Sequence, residues 1–128
     1  VIRIAGNVVD DTALGSIEYA VEHLGTRLIY VLGHEKCGAV KATVEAFQKG
    51  TSPNNHVLSI AKMILPSVKA VQLKKGDVLI NAISENVRRV ARELTASKPV
   101  LSEKIRKGKV QVRGGVYDLD TGKVNLVY

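Results

Sequence analysis

Arg27-Leu28-Ile29-Tyr30-Val31-Leu32-Gly33-His34-Glu35-Lys36-Cys37-Gly38-Ala39 joins a short apolar run to a polar turn and then to a new periodic segment. Arg27–Gly33 reads as a strand. A nearly continuous apolar run bounded by turn residues is what a strand buried on both faces requires. From Cys37 the spacing changes, and Val40, Val44 and Phe47 fall on one helical face. A strand feeding directly into a helix is the repeating unit of α/β folds. In such folds ligands gather beyond the carboxyl ends of the strands. The turn that carries His34 and Cys37 lies at that end.

Upstream, Val1–Val9 is rich in β-branched residues and ends at Gly6-Asn7, which predicts a strand running into a loop. Asp10, Asp11 and Thr12 supply helix-capping chemistry. Leu14, Ile17, Val21 and Leu24 follow at helical spacing, and Gly25 stops the element. Downstream, Thr51–Asn55 reads as a loop, and a helical stretch surrounds Ile60, Met63 and Ile64, where Pro66 is expected to break or kink it. A further helix sets Val87, Val90, Ala91 and Leu94 against Arg88, Arg89, Arg92 and Glu93. Val110–Leu119 and Lys123–Tyr128 are strand-like runs joined by Asp120-Thr121-Gly122, a good hairpin turn. The order predicts one α/β domain over residues 1–128. Its sheet is mostly parallel and flanked by helices, with an antiparallel strand from a C-terminal hairpin.

Composition narrows the class. Hydrophobic residues make up 45% of the 128 and charged residues 24%, as in a globular domain. Aromatics are only 4%, so Val, Ile, Leu and Ala must build the core. No apolar run approaches the roughly 18 residues of a membrane span, so no membrane association is expected. A formal charge of +7 permits nucleic-acid binding. No aromatic interleaving or recognised motif supports it, and Lys74-Lys75 and Lys104–Lys109 read as a turn and a solvated helix end. The single cysteine excludes an intrachain disulfide and fits a reducing compartment such as the cytoplasm. The chain opens at Val1, in a strand-like run and without an initiator Met, which predicts a piece of a longer protein.

His34 and Cys37 are separated by two residues, so a tight turn can aim imidazole and thiolate at one point. Both are good zinc ligands. The helix start after Cys37 favours negative charge, hence the thiolate. Gly33 and Gly38 would let the backbone approach a metal or small ligand closely. On spacing alone three readings stay open: a metal pair, a buried core cysteine beside a hydrogen-bonding histidine, and a redox-active thiol. A phosphatase-like anion loop is excluded, because no Arg follows Cys37 before Lys49.

Arg3-Ile4-Ala5-Gly6-Asn7, Ser16-Ile17-Glu18-Tyr19-Ala20-Val21 and Gly33-His34-Glu35-Lys36-Cys37-Gly38-Ala39 closely resemble consecutive motifs of the β-class carbonic anhydrases. The resemblance continues through Glu85-Asn86-Val87 and Gly115-Val116-Tyr117-Asp118-Leu119-Asp120-Thr121-Gly122, in order along nearly the whole chain. It implies a zinc enzyme that hydrates carbon dioxide reversibly to bicarbonate. His34 and Cys37 would be metal ligands, Gly38 would make room for the substrate, and the assembly would be a homodimer or higher homo-oligomer. Arg3 matches a position linked in the family to bicarbonate regulation.

The family's first motif, Cys-x-Asp-x-Arg, is expected upstream of Val1 and occurs nowhere in these residues. By resemblance it carries a further thiolate ligand, the catalytic Asp–Arg pair, and a central strand between those of Val1–Val9 and Arg27–Gly33. Zinc needs about three protein ligands in a catalytic site, and the resemblance finds two here. Asp10, Asp11, His23 and His56 are weak substitutes, since capping or surface exposure explains each. The rival reading is a non-catalytic carbonic-anhydrase-like domain that binds a partner or an anion.

Overall fold

The computed structural model describes all residues, Val1–Tyr128. Asp10 caps the first helix, α1 (Asp11–His23), by accepting from the Ala13 N–H at 2.8 Å. Leu24 ends it, and Gly25 follows at φ 70°. Strand β1 (Leu28–His34) then leads through a short turn into α2 (Gly38–Lys49). Two longer helices follow, α3 (Val57–Val71) and α4 (Val78–Ala96), then the short α5 (Val100–Arg106) and strands β2 (Gln111–Tyr117) and β3 (Val124–Leu126). The sheet order is β1-β2-β3. β1 and β2 are parallel from Leu28↔Gln111 to His34↔Tyr117, and β3 is antiparallel to β2. The α/β class, the mixed sheet and the closing hairpin are as expected.

Three expectations need correction. Val1–Val9 forms no strand. It holds a single 3-10 turn at Ala5–Asn7, with Gly6 at φ 69° and Asn7 at φ 45°. Successive left-handed residues cannot continue an extended chain, and no neighbouring strand pairs with the segment. Second, β1 is buried on one face only. Ile29 and Val31 point into the core, while Leu28, Tyr30 and Leu32 are 53%, 41% and 49% exposed. β1 is also an edge strand, paired only with β2. Third, of the break or kink expected at Pro66, the break does not occur, and α3 runs on to Val71.

The core sits between the sheet and α2, α3 and α4, around Ile64, Val68, Val87, Val90 and Leu101. Gly33 has a packing task as well. A Cβ there would meet Val87 Cγ2 at 2.6 Å, and one on Gly114 would meet Val87 Cγ1 at 2.7 Å. The two glycines let α4 settle onto the sheet. Gly33→Ala should therefore cost about 1–3 kcal/mol through overpacking. Pairing it with Val87→Ala should give a double variant more stable than the two losses added. Urea midpoints of the two singles and the double test this, and strict additivity would contradict it.

Candidate metal centre

The turn after β1 is built tightly. Lys36 takes φ 54°, which swings the chain from strand into helix within Glu35-Lys36. Glu35 N–H still donates to the Tyr117 carbonyl at 3.0 Å, so the turn starts in register with β2. Cys37 is the N-cap of α2, and its carbonyl accepts from Lys41 N–H at 2.9 Å. Its side chain makes no capping hydrogen bond and is buried, 4% exposed.

His34 is the last residue of β1 and is exposed. Its Nδ1 lies 2.8 Å from the Glu35 carbonyl oxygen. A carbonyl can only accept, so Nδ1 carries the proton and Nε2 of the neutral ring keeps its lone pair. Fixing one ring nitrogen on a backbone carbonyl is how metal-ligating histidines are oriented. At Gly38 nothing lies within 4 Å of where a Cβ would be, so the start of α2 opens onto free space.

The hairpin between β2 and β3 braces this turn. Leu119 N–H donates to Glu35 Oε2 at 3.3 Å, and Lys36 Nζ lies 3.9 Å from Asp120 Oδ1. Asp118 Oδ1 accepts from Thr121 N–H at 2.8 Å and from Asp120 N–H at 2.9 Å. The Thr121 N–H above all holds the Asp118 carboxyl below the usual carboxylate value. Glu35, Asp118 and Asp120 bring carboxylate oxygens within 4.8 Å of one another. Their backbone and lysine partners account for that gathering.

The donors fit zinc in kind: an imidazole whose Nδ1 is held on a carbonyl and a cysteine sulfur in one short turn. They do not complete a set. The only group of three or more His, Cys, Asp and Glu donors with all ligand atoms that close is the acidic one, which includes neither His34 nor Cys37. Asp10, Asp11, His23 and His56 are exposed and stand outside it. Asp10 serves as a cap, and the His23 ring packs on Tyr19 with centroids 4.7 Å apart.

A carbonic anhydrase family profile matches residues 1–124. The chain belongs to the carbonic anhydrase family. It is 40% identical over 130 residues to carbonic anhydrase 2 of Mycobacterium tuberculosis, a match that covers 98% of this chain and 61% of that protein. Among solved structures it resembles the β-carbonic anhydrase of Coccomyxa, with TM-score 0.83, 26% identity and coverage of 99% of this chain and 60% of that one. It also shares the fold of tetrameric β-carbonic anhydrases from Sordaria macrospora, with TM-score 0.76, 21% identity and coverage of 99% and 66%. The chain thus spans about three-fifths of the length of these carbonic anhydrases.

A buried polar network that the residue pattern does not announce links α3, α4 and the Gly6-Asn7 turn. Its signals in the sequence are Asn86, a polar residue on the apolar face of α4, and the Glu85-Asn86-Val87 motif that contains it.

Proposed function

We propose that the protein to which these residues belong catalyses the reversible hydration of carbon dioxide to bicarbonate and a proton, with His34 and Cys37 among the ligands of its zinc. One observation carries this reading. His34 Nδ1 is tied to the Glu35 carbonyl, which leaves Nε2 free in the turn that ends at Cys37. Zinc, when bound, supplies the Lewis acidity that makes water a nucleophile near neutral pH. The chain's own part is to orient imidazole and sulfur, and to leave space at Gly38, where N–H groups of the first turn of α2 can face a carbon dioxide or bicarbonate oxygen.

The remaining thiolate and the Asp–Arg pair belong, by family resemblance, to the Cys-x-Asp-x-Arg motif. The exposed apolar row of Leu28, Tyr30 and Leu32 supports burial in a homo-oligomer. No helix is long and apolar enough to cross a membrane. The single buried thiol suits a reducing compartment such as the cytoplasm.

Metal analysis of the purified protein tests the reading against its rival. Stoichiometric zinc is expected. Metal-free protein that still folds would favour a non-catalytic binding domain or a thiol chemistry at Cys37.

A further inference from the structure

Asn86 sits on α4, 49 positions after Cys37 (86 − 37), and is fully buried at 0% exposed. Its Nδ2 donates to the Gly6 carbonyl at 2.7 Å, and its Oδ1 accepts from Ser67 Oγ at 3.2 Å. Ser67 Oγ in turn accepts from Arg89 Nε at 2.9 Å. Arg89 is itself anchored to the Met63 carbonyl and to Glu93. The direction of the chain is fixed. Arg89 can only donate, the serine proton goes to the amide oxygen, and the amide nitrogen faces a carbonyl.

The receiving end is an unfavourable piece of backbone. Gly6 and Asn7 are both left-handed, and Asn7 Nδ2 is buried with no hydrogen-bond partner. Such a turn persists only where its surroundings over-determine it. It lies beside β1 and α2, the elements on either side of the metal turn. A Cβ built on Gly6 lies 3.4 Å from Ala39 Cβ, and one built on Gly33 lies 3.5 Å from Asn7 Oδ1. Gly33 precedes His34, and Ala39 follows Gly38.

We infer that Asn86 is a positioning residue for the His34–Cys37 pair, acting through the Gly6 carbonyl and the turn it fixes. The inference rests on the metal reading above. Without Asn86 the Gly6-Asn7 turn relaxes, and both ends of the metal turn lose a neighbour that sets their spacing.

The test uses two readouts and a control. Amide hydrogen exchange at Glu35 and Lys41, whose N–H groups flank the turn, is measured in the metal-free protein. Zinc affinity is measured by competition with a chelator. Asn86→Ala should speed both amides beyond the change in global stability and weaken zinc by on the order of tenfold. Leu101→Ala, a core truncation on α5, should change exchange only as far as global stability falls and leave zinc affinity alone. If Asn86→Ala does not fold, Ser67→Ala decides by the same two readouts, with smaller changes of the same sign. An Asn86 or Ser67 variant that tracks Leu101→Ala in both readouts would overturn the inference. Retention of zinc by Cys37→Ser would instead sink the metal reading and leave the exchange result to stand alone.

Discussion

In the full-length protein, Cys37→Ser is expected to abolish zinc retention and carbon dioxide hydration while leaving the fold nearly intact. The fold should survive because Cys37 is an N-cap whose side chain makes no capping bond. Serine is among the preferred residues there and can supply one, which offsets the modest loss of buried sulfur. The metal should not survive. A thiolate brings charge as well as geometry to the metal, and a serine hydroxyl at neutral pH brings little charge. Changing an outer-shell partner typically costs 10–100-fold in affinity, and losing a direct ligand should cost more. Zinc content and thermal midpoint, measured on the same preparation, separate the two effects. One zinc per chain with normal hydration would refute the assignment.

Carbon dioxide hydration by the 128-residue chain alone is expected to be negligible, with or without added zinc. One imidazole and one sulfur leave the metal short of protein ligands. Each missing ligand removes part of a binding energy of roughly 10–16 kcal/mol for complete structural sites. The Asp–Arg pair that the family resemblance assigns to orienting the reactants is also outside these residues. A misplacement of about 1 Å can cost a hundredfold in rate. Stopped-flow measurements on the purified chain decide the point. Turnover comparable to a full-length relative would show that other residues, such as Asp10, Asp11 or His56, complete the site.

The sequence displayed the elements whose formation depends on local chemistry. Asp10 announces α1 because a cap needs only its own next turn. The run through Val31 announces β1, and Asp120-Thr121-Gly122 announces the hairpin. Val1–Val9 misled for the opposite reason. Its β-branched residues favour an extended chain, but a strand exists only beside a partner, and the turn at Gly6-Asn7 is fixed by Asn86 from 80 residues away. Pro66 also misled, since packing against α2 and α4 carries α3 past it. At the candidate site, residue types and spacing single out His34 and Cys37. Which imidazole nitrogen is free depends on the Glu35 carbonyl, and the true neighbour of Gly33 is Val87. Neither can be read from a string of letters.

His34 and Cys37 are proposed to hold zinc together. Zinc-edge X-ray absorption on the zinc-loaded chain tests it most directly, with His34→Ala and Cys37→Ser as companions. One sulfur at about 2.3 Å and an imidazole nitrogen at about 2.0–2.1 Å, completed by oxygen from solvent, are expected. The sulfur signal should vanish in Cys37→Ser and the imidazole signal in His34→Ala. A shell of oxygen alone, as the Glu35, Asp118 and Asp120 carboxylates would give, or a spectrum that neither substitution changes, would contradict it.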